Sequence, residues 1–104
     1  EYYVYEEQGQ VLGFISILVL NQEIEIIYLV VAEDKRNLGI ATALINYLFT
    51  KYQGRSFFLE VNENNQQALS LYQTVGFKII NKRPNYYHND TAIVMRKDNE
   101  NEAA

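Results

Sequence analysis

At 104 residues, 48% of them hydrophobic, the chain carries apolar material for one core and one domain. A formal net charge of −4 excludes a general binder of nucleic acid or of anionic membrane, while leaving a basic partner open. The absence of cysteine excludes disulfides, thiolate metal sites and cysteine nucleophiles, and it suits a reducing, cytoplasmic setting.

The chain opens at Glu1 without a methionine, inside the strand-like run Tyr2-Tyr3-Val4-Tyr5. That is the expectation for a domain whose natural start lies further upstream. Residues 4–20 read as a β-hairpin: two β-prone runs flank Glu7-Gln8-Gly9-Gln10, where Gly9 supplies the positive φ of a tight turn. Phe14 to Leu20, the longest apolar run, is too short to cross a bilayer, and no signal peptide is expected ahead of it. Asn21-Gln22-Glu23 makes the next turn. Ile24 to Val31 is a third strand, apolar on both faces toward its end, the pattern of a central strand.

Helical spacing then takes over. Ile40, Ala43, Leu44, Tyr47, Leu48 and Tyr52 form a stripe at three- and four-residue steps, closed by Gly54. Residues 56–61 return to strand, and Asn62-Glu63-Asn64-Asn65 is turn and N-cap chemistry. Ala68, Leu71, Tyr72 and Val75 make a second amphipathic stripe, with Gly76 at its C′ position. Residues 77–82 read as strand, 83–90 as a loop around the only proline, and 91–96 as a last strand. The order β-β-β-α-β-α-β-β defines an α/β fold, a mixed central sheet with helices crossing between its middle strands. Residues 1–97 make one domain, and the polar stretch 98–104 is expected to be a disordered tail.

Three places carry candidate chemistry. Residues 34–42 hand a buried strand to a helix, and small residues at Gly39 and Ala41 let a ligand approach the backbone. The unpaired first-turn N–H groups and the helix dipole would hold a pyrophosphate there, with Arg36 adding a charge-assisted contact. A glycine that merely permits a tight turn explains the segment equally well. It is neither a P-loop nor a dinucleotide fingerprint. In the strand Phe57-Phe58-Leu59-Glu60-Val61-Asn62, alternation puts Phe58 and Glu60 on one face and Phe57, Leu59 and Val61 on the other. Glu60 is therefore expected to be partly desolvated, a setting that strengthens a carboxylate's hold on a proton. A base and a rim carboxylate answering a lysine or a helix N-terminus are both open. Tyr72 sits on its helix's apolar stripe, as a packed core tyrosine or as an acid. His88, the only histidine, reads as a solvated loop side chain, and Glu23, Glu25, Glu60 and Glu63 lack the companions of a metal site.

The segment Arg36-Asn37-Leu38-Gly39-Ile40-Ala41 resembles the Arg/Gln-x-x-Gly-x-Gly/Ala motif of the GNAT N-acetyltransferase superfamily. Leu59-Glu60-Val61, Asn64-Asn65, Ala68, Leu71-Tyr72 and Gly76-Phe77 are similar to the RimI-type family of ribosomal-protein alanine N-acetyltransferases. So are Lys82-Arg83-Pro84-Asn85-Tyr86-Tyr87 and the following Ala92-Ile93-Val94-Met95. The resemblance covers nearly the whole chain and implies a GNAT fold, acetyl-CoA as cofactor, and a protein N-terminus, that of a small-subunit ribosomal protein, as acceptor.

It also implies roles. Glu60 would be the general base and Tyr72 the general acid. The backbone of Leu29, Val30 and Val31 would pair with the pantetheine arm and polarise the thioester carbonyl. Arg36, Asn37, Leu38, Gly39, Ile40, Ala41 and Thr42 would hold the pyrophosphate, and Asn65 would also touch the cofactor. Tyr86 and Tyr87 would line the acceptor groove. The chain departs from the family in lacking the usual N-terminal strand and helices that wall the acceptor site. Thr91 also stands where an acid often precedes the alanine of the final strand, with Asp90 one step earlier. A different peptide or small amine as acceptor, or a truncated module that binds acetyl-CoA without turnover, are the competing readings.

Overall fold

In the computed structural model, which describes residues 1–36 and 39–99, the first register is set at the hairpin turn. Gln8 and Gly9 both take positive φ, 49° and 79°, the pairing a two-residue turn needs to match the twist of its strands. The turn joins β1 (Tyr2–Glu7) to β2 (Gln10–Val19), and β2 pairs antiparallel with β3 (Glu23–Val31). A short 3₁₀ turn at Glu33–Lys35 leads toward α1 (Ile40–Lys51), which crosses over to β4 (Ser56–Asn62), parallel to β3. After α2 (Gln66–Thr74) come β5 (Lys78–Tyr87) and β6 (Asp90–Asp98). The sheet order is β1-β2-β3-β4-β6-β5, a mixed six-stranded sheet.

Both helices contribute to one core. It joins Ile40, Leu44, Ile45, Leu48 and Tyr72 to alternate strand residues such as Ile15, Ile24, Phe57, Leu59 and Met95. The opposite sheet face is open: Tyr2, Val4, Leu18 and Tyr28 are all exposed there. Phe49 of α1 meets Phe57 edge-on at 5.0 Å and Phe77 at 6.1 Å, tying α1 to β4 and to the segment after α2.

Four expectations need correction. On α1 the buried residues are Ile40, Leu44, Ile45 and Leu48, while Ala43 and Tyr47 are exposed. Ile45 offers the core more apolar area than Ala43, and the helix turns to bury it. Residues 83–87 are not loop but the continuation of β5. Pro84 is tolerated because β5 is an edge strand, where a missing N–H breaks no ladder. The end of β3 is not buried on both faces: Ile27, Tyr28 and Val30 are exposed, for a reason that belongs to the site below. Finally, Asp98 is still part of β6. Asn99 donates from Nδ2 to the carbonyls of Phe49 and Tyr52 at 2.8 and 3.0 Å, closing the end of α1. The rest of the expected tail, residues 100–104, lies outside the described residues.

Candidate active site

The site begins with a strand that loses its partner. β3 and β4 are paired only from Glu23↔Ser56 to Glu25↔Phe58, although β3 runs on to Val31 and β4 to Asn62. Beyond that point the strands part. The β4-facing N–H and C=O groups in the last half of β3 are left for solvent or a ligand. A bulge marks the parting: Ser16 pairs with Tyr28 and Ile17 with Ile26, so Ile27 is the extra residue. The extra residue turns the side-chain alternation over, so Leu29 and Val31 pack against the core while Tyr28 and Val30 stand exposed on the open face opposite Ser16 and Phe14.

A cleft of about 870 Å³ opens at this split. Leu29, Val30 and Val31 line it from β3, Lys35 and Arg36 from the connection, and Gly39, Ile40, Ala41 and Thr42 from the start of α1. Asn65, Gln66, Gln67, Ala68, Ser70, Leu71 and Tyr72 line it from α2 and its cap. Every described residue of the expected cofactor set is thus on one surface. Asn37 and Leu38 lie outside the described residues.

The start of α1 presents backbone donors to the cleft. Gly39 is its N-cap in the left-handed region (φ 80°), and no side chain caps the helix. The first helical bond runs from Ala43 N–H to the Gly39 carbonyl at 2.9 Å, so the N–H groups of Ile40, Ala41 and Thr42 have no intrahelical acceptor. A Cβ on Gly39 would meet nothing within 4 Å, so the backbone angle demands glycine while open space lies beside it. Lys35 and Arg36 add cations at the same end, with Arg36 Nε 3.4 Å from the Val31 carbonyl. The seating of α1 depends on Gly13 of β2. A Cβ there would stand 3.0 Å from the Val30 carbonyl and 3.1 Å from Ile40 Cγ2.

Across the cleft, the Asn65 side chain accepts from Ala68 N–H at 3.1 Å and caps α2. Tyr72 is the buried residue of that helix. Its ring stands edge-on to Phe77 at 5.6 Å, and burial pushes its phenol above the ordinary tyrosine value. No hydrogen bond of the hydroxyl is made among the described residues, and the oxygen is not sealed from solvent. A protonated O–H therefore stands at the cleft wall with its donor capacity unused.

Glu60 stands apart from the cleft wall. It lies on β4 two residues beyond the last β3 pair, on the open sheet face, with its side chain 25% exposed. The expected desolvation is partial, and the carboxylate has a partner not anticipated from sequence: Arg83 Nη1 at 3.0 Å. The Arg83 guanidinium also sits 5.7 Å from the ring centroid of Tyr86, which is half exposed. Tyr87 belongs to the end of β5; its side chain lies outside the description. His88 is exposed in the hairpin turn with φ 55°. Asn62 donates to Asp90 Oδ2 at 3.1 Å, holding the base of β6 to the end of β4. Sequence reasoning missed Gly13, Lys35, Arg83 and the α2 glutamines. Only Gly13, an apolar strand's lone glycine, carried a local signal of close approach.

A mixed sheet split between two parallel strands, with an uncapped helix start at the mouth of the split, is the architecture of an N-acetyltransferase-type domain. The chain belongs to the GNAT acetyltransferase family: the profile of the Acetyltransferase (GNAT) family matches residues 1–77. It is 34% identical to the ribosomal protein bS18-alanine N-acetyltransferase of Haemophilus ducreyi, over 88% of this chain and 68% of that one. It is 35% identical to the peptidyl-lysine N-acetyltransferase YiaC of Escherichia coli, over 75% of this chain and 50% of that one. The crystal structure of the ribosomal-protein-S18-alanine N-acetyltransferase from Escherichia coli superposes with a TM-score of 0.90 at 24% identity, covering 97% of this chain and 70% of that one. Against such curated relatives the chain spans between 50% and 68% of their length.

Proposed function

We propose that this chain is the catalytic domain of an acetyl-CoA-dependent N-acetyltransferase that modifies the N-terminal α-amine of a protein, a small-subunit ribosomal protein in the cytoplasm. The observation that carries the reading is the gathering of the strand end Leu29–Val31, the uncapped start of α1, Asn65 and Tyr72 around one cleft. The cleft fits the cofactor. Its volume lies within the usual range of about 300–1,000 Å³ for small-molecule sites. Unpaired N–H groups with Lys35 and Arg36 suit a pyrophosphate, and the unpartnered edge of β3 suits an amide-bearing arm.

The cofactor supplies an acetyl group activated as a thioester. The chain's own groups do the rest. N–H donors at the end of β3 orient the thioester carbonyl and favour negative charge on its oxygen. Glu60 takes the proton that the attacking amine gives up, directly or through one water, an assistance typically worth about 10²–10⁴ in rate. Tyr72 donates its O–H to the departing sulfur. A tyrosine carries its proton at neutral pH in any case, and burial raises its pKa further, so it acts first as a hydrogen-bond donor to the thiolate. The proposed route is direct attack in a ternary complex and needs no acyl-enzyme; these 104 residues hold no cysteine to carry one.

The test is acetyl transfer from acetyl-CoA to a peptide with a free N-terminal alanine, beside the same peptide blocked at its α-amine and carrying one lysine. Transfer to the free α-amine alone supports the reading. Transfer only to lysine, the acceptor named for the Escherichia coli relative, replaces it with a side-chain acetyltransferase. Cofactor binding without transfer to either peptide identifies a binding module.

A further inference from the structure

The open face of the sheet holds one arrangement that the cofactor cleft does not use. β6 lies between β4 and β5, with Glu60 opposite Val94 and Arg83 opposite Ala92. Residues directly opposite share a face, so Glu60, Val94, Ala92 and Arg83 all project to the same side. To reach Glu60 Oε1 at 3.0 Å, the Arg83 side chain must cross β6 over Ala92 and Val94. Both are small and both are buried. Beyond Arg83 the register breaks: the next pair is Tyr87↔Asp90, so β5 takes four steps while β6 takes two. The extra chain turns through Asn85 at φ 58° and brings the Tyr86 ring to 5.7 Å from the same guanidinium.

Folding alone gives little reason for this construction. The pair is 49% and 25% exposed, and an ion pair so open to water adds little to stability. The residue type is informative. A planar guanidinium can hold a carboxylate with its edge and an aromatic ring with its face, which an ammonium cannot do together. Lys82 does not duplicate it, since it pairs with Ile93 and so projects to the other face.

We infer that Arg83 is the positioning residue of the acceptor side, fixing the Glu60 carboxylate and the Tyr86 ring as one unit that the incoming amine meets. This rests on Glu60 being the base. It gives Arg83 no proton to move and no part in holding the cofactor, because Arg83 is absent from the cleft wall. An amine arriving as ammonium competes with Arg83 for the carboxylate, while the stacked Tyr86 keeps the guanidinium from swinging away.

The test is a double-mutant cycle on the whole chain, with acetyl-CoA and a peptide bearing a free N-terminal alanine. Arg83→Ala should lower kcat about tenfold, less than the loss of the base itself, through misplacement of the carboxylate. Acetyl-CoA affinity should stay at the wild-type value. Arg83→Lys should recover part of the rate by restoring the charge without the stack. In a Glu60→Gln background, Arg83→Ala should cost nothing further. Wild-type kcat in Arg83→Ala with an impaired Glu60→Gln would overturn the inference alone, as would multiplicative losses in the double variant. Wild-type rates in Glu60→Gln would remove the base assignment and the inference with it. Should Arg83→Ala fail to fold by circular dichroism, Arg83→Met keeps the stem over Ala92 and Val94 and serves in its place.

Discussion

The two sides of the β3–β4 split are made differently. On the side proposed for the cofactor the surface is backbone: the unpaired edge of β3 and the first-turn N–H groups of α1, with glycine at position 39, where the positive φ favours it. On the proposed acceptor side it is side chain: Glu60, Arg83 and Tyr86, each from a strand position, with the Arg83 guanidinium reaching over β6 to join the other two. A backbone surface tolerates change in most of its side chains and fails when its path is altered. A side-chain surface holds its path and fails by single atoms. The two sides should therefore break in different ways.

The largest effect is expected on the acceptor side. Glu60→Gln keeps shape and removes the proposed base, so kcat/KM should fall by about 10²–10⁴ with acetyl-CoA affinity unchanged. Calorimetric binding beside steady-state kinetics checks both. A loss of cofactor affinity in this variant would mean the two sides are not separate. The matching break on the cofactor side is Gly39→Val. A β-branched residue at φ 80° is strained by about 1–3 kcal/mol and also fills the open space beside the cradle. Acetyl-CoA binding should weaken by tenfold or more, with Glu60 and Arg83 undisturbed.

How much of each side could be read from sequence follows from the same contrast. The backbone cradle is local. It needs a glycine at the end of a strand-to-helix connection, and residues 36–42 carry that in seven consecutive letters. The element order was legible for a similar reason, since hairpin turns, caps and stripes are all short-range signals. The partner of Glu60 was not, because Arg83 is brought to it by two strand registers and a bulge that no local pattern encodes. Reading residues 83–90 as loop hid it further: Pro84 speaks against strand unless the strand is known to be an edge. The rotation of α1 toward Ile45 was likewise decided by what the sheet offered the helix, not by the helix's own spacing.

Gly13→Ala tests whether the cradle depends on the seating of α1. The added methyl would press on the Val30 carbonyl and Ile40 Cγ2 at 3.0 and 3.1 Å, so either the sheet or the first turn of α1 must give way. Overpacking of this kind costs about 1–3 kcal/mol. The expected outcome is a lower unfolding midpoint together with weaker acetyl-CoA binding. Loss of stability with full affinity would show that the cradle does not depend on this contact. On the far wall, Asn65→Ala should cost about 1 kcal/mol through the lost cap of α2, and Asn65→Asp should restore the cap. If the Asn65 amide also touches the cofactor, the Asn65→Asp variant should recover stability but not affinity.

The smallest effect separates the buried phenol from both surfaces. Burial raises the Tyr72 pKa in the folded chain, while the unfolded chain ionises its tyrosines near about pH 10. Below that value both states carry the proton and the group makes no difference to stability with pH. Above it the unfolded chain releases a proton that the folded chain keeps, so unfolding is increasingly favoured as pH rises. Tyr3, raised by burial and then by its hydrogen bonds to Tyr52 and Glu1, pulls in the same direction. Urea midpoints between about pH 8 and about pH 11 should therefore fall more steeply in the wild type than in Tyr72→Phe. At neutral pH the same variant should fold as well as the wild type and lose rate without losing cofactor, because the hydroxyl has no hydrogen-bond partner among the described residues to leave stranded. A Tyr72→Phe variant with full kcat and the flattened alkaline slope would leave the phenol as a packing group and return the leaving sulfur to water.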